Sequence, residues 1–322
     1  MRIVHWTLTN GSGMNMVAVD MSEGEKALGH DSVVLSSFNS AEWPKGMGAD
    51  IHVSHSHVPD PVRKAGGKLV WVGHGTPEHC FEITSQEMTY KGYAPSDTMA
   101  LVGWWLQHAD AIVTFWPRHA HIWSTMCDKR TIVDCVPLGV NKEFWKPNSR
   151  GKFVGAPSVF STENCHRIKW PLDLIIMWGW VTDELPNAQL HINYLPRDQH
   201  RYWFPLMYRT GASFKSYVSG NSFGKEDLRN AFSSVDYVTS FVQYGDFNRI
   251  TLEAKACGAK LISWAGNPYA DYWILEGNQI LQKEQMIKIL KGEVQAREVE
   301  QVPDILDTAK AMIEIYERVL NE

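Results

Sequence analysis

Arg2-Ile3-Val4-His5-Trp6-Thr7-Leu8-Thr9-Asn10-Gly11-Ser12-Gly13-Met14 opens the chain, and its reading sets the fold class. Arg2 to Leu8 is a short apolar-rich run of strand character. Asn10 to Met14 is a turn-forming loop, because Gly and Asn accept backbone angles that other residues avoid. From Met14 to Leu28 the apolar residues Met16, Val17, Val19, Met21, Ala27 and Leu28 fall at helical spacing. Gly29-His30 closes that helix, and Ser32 to Ser36 is the next predicted strand. A strand, a glycine loop, a helix and a second strand make a βαβ unit, whose strands run parallel.

The alternation continues outward from this unit. Ala49–Val53, Lys68–Val72, Ala111–Phe115 and Ile132–Val136 are predicted strands, with a helix over Met99–His108. Phe144 to Pro157 is rich in Pro, Gly, Lys and Asn and has the composition of a linker. The pattern then restarts. Strands are predicted at Ser158–Ser161, Ala188–Tyr194, Tyr237–Ser240 and the run entered at Gly258–Ser263. Helices are predicted at Pro171–Val181, Lys225–Ser233 and Ile250–Ala256. Asp304 to Val319 is an amphipathic helix. The division expected is an N-terminal Rossmann-like domain over 1–147 and a C-terminal Rossmann-like domain over 148–304. The helix at 305–322 is expected to pack back on the first domain. In open α/β sheets ligands sit at the carboxyl ends of the strands, so a site between two facing domains is expected.

Bulk composition narrows the class. The chain has 322 residues, 44% hydrophobic and 21% charged, which is ordinary globular usage and suits two domains. A net charge of −5 gives no global pull toward nucleic acid or acidic membranes. No apolar run is long enough to span a bilayer, and the opening strand lacks the apolar stretch of a signal peptide. The 5 cysteines are scattered with no C-x-x-C pair, so neither a disulfide framework nor a zinc site is indicated and a reducing cytoplasm is the expected compartment.

Three stretches together resemble the retaining GT-B glycosyltransferases of the large family four (glycosyl transferases group 1). The first is Asn10-Gly11-Ser12-Gly13-Met14 with its helix and Gly29-His30-Asp31. The second is Val136-Pro137-Leu138-Gly139-Val140-Asn141 through Pro147, similar to the family's P-N-G-V-D-x-x-x-F-x-P with Trp145 at the phenylalanine. The third runs Glu226-Asp227-Leu228, then Ser234-Val235-Asp236-Tyr237, then Phe247 to Gly258, and ends in Leu252-Glu253-Ala254-Lys255-Ala256-Cys257-Gly258. The resemblance implies an α/β, GT-B fold of two Rossmann-like domains facing across a cleft, the N-terminal one (1–147) the acceptor domain and the C-terminal one (148–304) the donor-nucleotide domain. It implies metal-independent transfer of a sugar, with retention, from a nucleotide sugar (a UDP-sugar first) to an acceptor hydroxyl, with no cofactor. The family's acid eight positions before Glu253 is Gly245 here, with Asp246 beside it. Either Asp246 substitutes with a small shift, or the donor sugar is held differently.

The resemblance also places individual residues. Glu253, near a helix start, is expected to accept two hydrogen bonds from ribose hydroxyls; its plain alternative is a charge complementing the helix dipole. Phe247, Asn248 and Arg249 precede or open the same helix, where free N–H groups suit phosphate. The family clamps the leaving diphosphate with an arginine at the strand end and a lysine before the helix; Ser161-Thr162 stands at the arginine's place here, and Arg167 is expected to compensate beside Lys169. Gly11, Ser12 and Gly13 let backbone approach the donor, and backbone at Tyr217 and Val218 holds the base. His74, after the fourth strand, and Asp246 join Glu253 as candidate catalytic residues. His55 and His57 are candidates for the acceptor side or for capping the third strand. With His52 and Asp60 they form an H-x-x-H-x-H pattern that could chelate zinc, but no cysteine or acidic cluster completes it.

Four readings of function remain open: a transferase acting on glycan, lipid or small-molecule hydroxyls; a viral-type enzyme glucosylating a modified pyrimidine in DNA; a GT-B nucleotide-sugar epimerase; and a non-catalytic sugar-nucleotide binding protein. A single-sheet oxidoreductase is disfavoured, because Met16 stands where a G-x-G-x-x-G would need its third glycine.

Overall fold

The structure is a computed structural model that describes residues 1–7, 13–74, 95–148, 153, 155–164, 172–194, 205, 208–209, 213–214, 224–241 and 248–322. The chain divides into two compact units, Met1–Asn141 with Pro303–Glu322, and Lys142–Val302.

The first unit carries strands β1 (Arg2–Thr7), β2 (Asp31–Ser36), β3 (Ile51–Ser54), β4 (Lys68–Val72), β5 (Ala111–Thr114) and β6 (Ile132–Cys135). They form one sheet in the order β2-β1-β3-β4-β5-β6, and every pairing is parallel. Between them lie α1 (Gly13–Ala27), the short α2 (Trp43–Gly46) and α3 (Asp60–Lys64), α4 (Pro95–His108) and α5 (Pro117–Met126). Pro117 opens α5 at a position whose N–H has no helical partner, so the ring costs no hydrogen bond. One face of this sheet buries Trp6, Trp71, Trp105 and Trp123. Trp71 stacks on Trp105 with centroids 6.4 Å apart and meets Trp123 edge-on at 5.2 Å. These four of the chain's 14 tryptophans fill core.

The second unit carries β7 (Ser158–Asn164), β8 (Gln189–Tyr194), β9 (Ser213–Phe214), β10 (Tyr237–Ser240), β11 (Lys260–Trp264) and β12 (Tyr272–Ile274). Their order is β12-β11-β10-β7-β8-β9, again all parallel. The helices are α6 (Leu172–Glu184), α7 (Lys225–Phe232), α8 (Arg249–Ala256) and α9 (Gln279–Leu290). Trp178, Leu190, Ile262 and Met286 are among the buried residues of its core. The stretch read above as a linker is partly core here. Trp145 is 1% exposed and lies 6.2 Å from the Phe232 ring, and Asn148 bonds Asn230 at 2.7 Å. A large aromatic side chain with a pocket to fill outweighs the loop-like composition around it.

The last helix, α10 (Ile305–Asn321), returns to the first unit and packs on α1. Gly24 permits this approach, since a Cβ there would lie 2.9 Å from the Cβ of Ala309. A capping box of Asp304 and Asp307 starts the helix. The returning chain is clamped by Pro137-Leu138-Gly139-Val140. Val140 forms a parallel bridge with Asp304, and Ile305 N–H donates to the Val140 carbonyl at 3.1 Å. Gly139 N–H donates to the Thr308 hydroxyl at 2.8 Å, which in turn donates to the Pro137 carbonyl at 2.7 Å. Any Cβ on Gly139 would collide with the Asp304 carbonyl, so that motif glycine is required by close backbone approach.

Candidate functional site

In the first unit the carboxyl ends of neighbouring strands bring three histidines into a line. His5 lies within β1, His55 directly follows β3, and His74 stands two residues beyond β4. Because β1, β3 and β4 are adjacent and parallel, each histidine reaches the next. Nε2 of His74 is 2.7 Å from Nδ1 of His55. Nε2 of His55 is 3.0 Å from Nδ1 of His5. Nε2 of His5 is 2.8 Å from Oε2 of Glu25, which α1 presents to the sheet.

Glu25 is fully buried, and other elements satisfy it. The Ser32 hydroxyl of β2 donates to Oε2 at 2.7 Å, and the Tyr316 hydroxyl of α10 donates to Oε1 at 2.9 Å. Ser22 lies 2.9 Å from the Ser32 hydroxyl, hydroxyl to hydroxyl. Burial pushes the Glu25 carboxyl up. Attraction to His5 and the hydrogen bonds from His5, Ser32 and Tyr316 outweigh it and hold the group below its ordinary value. Burial depresses His74 to about 4. His55 is held well below its ordinary value by burial first and then by His74 and His5. Both are therefore neutral imidazoles near pH 7. His74 is half-buried against Phe115, with ring centroids 5.8 Å apart, and Gly73 N–H anchors its strand end to the Val113 carbonyl at 2.8 Å.

The other histidines of this region separate by role. His55 is 2% exposed with both nitrogens committed to His5 and His74, which leaves it no group to offer an acceptor directly. His57 is half-buried, edge-on to Phe38 at 5.3 Å; burial lowers its pKa and Asp60 acts the other way. His52 accepts from the Trp6 indole N–H at 3.2 Å and lies 3.0 Å from the Gly66 carbonyl, which makes it a packing residue. Among the described residues no three of His, Cys, Asp or Glu converge as a metal site.

In the second unit α8 presents Glu253, 5% exposed, with Oε1 3.3 Å from Nε of Arg249 one turn earlier. Burial raises the Glu253 carboxyl and lowers the Arg249 guanidinium, while each pulls the other back toward its charged form. Asn248 is the N-cap of this helix. Gly258, at φ +84°, ends it in the left-handed conformation, and Ala259 N–H closes back on the Ala254 carbonyl at 3.1 Å. Cys257, between them, is buried, and burial pushes its thiol up to about 12, so it is no nucleophile.

Gly13 opens α1 and is exposed. Gly11, Ser12, Arg167, Lys169, Tyr217, Val218, Gly245, Asp246 and Phe247 lie outside the described residues. Sequence reading singled out His55 and His74 but missed His5, Glu25 and Tyr316. The available signals were a histidine inside an apolar strand and a glutamate on the buried stripe of α1, four residues after Met21.

No protein-family model matches the sequence, and no curated protein matches it. Solved structures match in fold. Sucrose-phosphate synthase from Thermosynechococcus elongatus superposes with a TM-score of 0.70 at 13% identity, over 100% of this chain and 96% of the other. Anabaena HepE in complex with UDP-glucose gives 0.63 at 12% identity, over 100% and 98%. WaaG, a glycosyltransferase involved in lipopolysaccharide biosynthesis, gives 0.62 at 12% identity, over 99% and 95%. The fold is that of the GT-B glycosyltransferases, with two Rossmann-like α/β units.

Proposed function

We propose that this chain is a glycosyltransferase that moves a sugar from a nucleotide-sugar donor, a UDP-sugar, to an acceptor hydroxyl, with retention and without a divalent metal. The observation that carries the reading is the fold likeness over the whole chain to a protein whose structure holds UDP-glucose. His74 adds to it, as a neutral imidazole at the carboxyl end of a sheet strand, where α/β folds place ligands.

In this reading His74 meets the transferred sugar or the reacting hydroxyl. Glu253 receives the ribose hydroxyls, and the opening of α8 at Asn248 and Arg249 faces phosphate. Arg167 and Lys169 stabilise the charge that develops on the leaving diphosphate, which takes the place of a metal. Backbone at Tyr217 and Val218 receives the base. Gly11, Ser12 and Gly13 permit close approach to the donor, Asp246 supports the sugar, and His57 lies on the acceptor side. The protein acts in the cytoplasm.

The test is release of UDP from UDP-sugars, measured with and without hydroxyl acceptors and with EDTA. Acceptor-dependent release that EDTA leaves intact supports the transferase. Release without acceptor points to an epimerase or hydrolase, and nucleotide binding without release to a binding protein.

A further inference from the structure

The chain of hydrogen bonds from Glu25 to His74 is directional. A carboxylate has no proton to give, so the nitrogen of His5 that faces Glu25, Nε2, must carry one. With one proton on each imidazole, Nδ1 of His5 is then an acceptor and Nε2 of His55 must donate to it. Nδ1 of His55 becomes an acceptor in turn, and Nε2 of His74 donates to it. The last atom of the series is Nδ1 of His74, left with its lone pair. Among the described residues nothing hydrogen-bonds to that atom. Each link is 3.0 Å or shorter, and every member but His74 is buried, so water does not compete for the intermediate nitrogens.

We propose that Glu25 is a positioning residue for His74: acting through His5 and His55, it fixes which nitrogen of His74 carries the proton and leaves Nδ1 as the acceptor that meets a substrate hydroxyl. The inference rests on the reading of His74 as a substrate-facing residue. The outer nitrogen of a histidine is set by the hydrogen bond its inner nitrogen makes, and here that bond is traced through two further rings to a buried charge. One extra proton has a defined consequence. A second proton on His5 would make its Nδ1 donate to Nε2 of His55, whose Nδ1 would donate to Nε2 of His74. The outer nitrogen of His74 would turn from acceptor to donor. The groups facing His5 are Glu25 of α1 and His55 after β3, with Ser32 of β2 and Tyr316 of α10 facing Glu25.

The test is nitrogen NMR of the full chain labelled at histidine, for the wild type, Glu25→Gln and Tyr316→Phe. Glutamine keeps the shape but can donate as well as accept, so it no longer imposes one direction. In the wild type near pH 7, His74 should show a protonated Nε2 and a bare Nδ1. In Glu25→Gln it should show mixed or reversed tautomers. Tyr316→Phe keeps the carboxylate and should keep the wild-type tautomer, which separates polarity from packing damage. Turnover adds a second reading: Glu25→Gln should lower kcat about 10- to 100-fold with donor KM within about twofold. A protonated Nδ1 on His74 in the wild type overturns the proposal, as does an unchanged tautomer with unchanged kcat in Glu25→Gln. If no nucleotide sugar binds or turns over, the functional reading fails, and the tautomer spectra still decide whether Glu25 orients His74.

Discussion

The hydroxyl of Tyr316 donates to Oε1 of Glu25 at 2.9 Å, across 291 positions of sequence. The bond joins the last helix to the first inside the first unit, and it ends on the carboxylate that terminates the histidine series. Tyr316→Phe removes a donor from a buried charge and should cost about 1–3 kcal/mol in urea unfolding. The sign with pH follows from the depressed Glu25 carboxyl. A carboxyl lowered by folding stabilises fully above its ordinary value of 4.5, and that contribution is lost as pH falls through the folded value. The difference between wild type and Tyr316→Phe should therefore be complete at neutral pH and shrink below about pH 4.5. A difference independent of pH contradicts this coupling.

His74 acts on stability in a neighbouring window. Its imidazole is held at about 4 against an ordinary 6.5. Between those values the unfolded chain binds a proton that the folded chain does not, so stability falls as pH is lowered from 6.5 toward 4. His74→Asn removes this group. Its unfolding free energy should fall less steeply than that of the wild type across the same interval, as measured by denaturant titration at several pH values.

Gly139 predicts a packing failure remote from any chemistry. Its α-carbon lies so close to the Asp304 carbonyl that Gly139→Ala must push the returning chain away. The hydrogen bond to Thr308 and the bridge at Val140 loosen with it. Overpacking of this kind costs about 1–3 kcal/mol. Thermal unfolding should show the loss, and proteolysis should cut first near residues 298–304.

These residues also show what sequence could and could not reveal. Strands β1, β4 and β10 and the helices α7 and α8 follow from apolar runs, turn residues and spacing, all local signals. Pro137 to Asn141 was legible as a family-like motif, but its work depends on Asp304 and Thr308, far along the chain. Trp145 was read within a linker because its neighbours are loop formers, while its pocket beside Phe232 belongs to the second unit. Of the histidine series, only the two members next to loops drew attention. His5 and Glu25 are buried polar residues in apolar surroundings, and their pairing requires knowing that α1 packs across β1.

Glu253 and Arg249 supply a further check. Both are largely buried and neutralise each other. Glu253→Gln removes the buried carboxylate that faces Nε of Arg249 and should lower the unfolding free energy by roughly 3 kcal/mol. Replacing both by apolar residues of similar size should recover most of that loss. Failure of the double variant to recover would mean that the pair does more than balance charge within α8.

Donor binding is the claim on which the functional account turns, and a thermal-shift screen of UDP, GDP, ADP and their sugars, with and without magnesium, tests it most directly. A ligand that binds only the folded state raises the melting temperature. The account predicts a rise with UDP and a UDP-sugar that magnesium leaves unchanged and that is lost in Glu253→Ala relative to that variant's own baseline. No rise with any nucleotide, or a rise that appears only with magnesium, would contradict it.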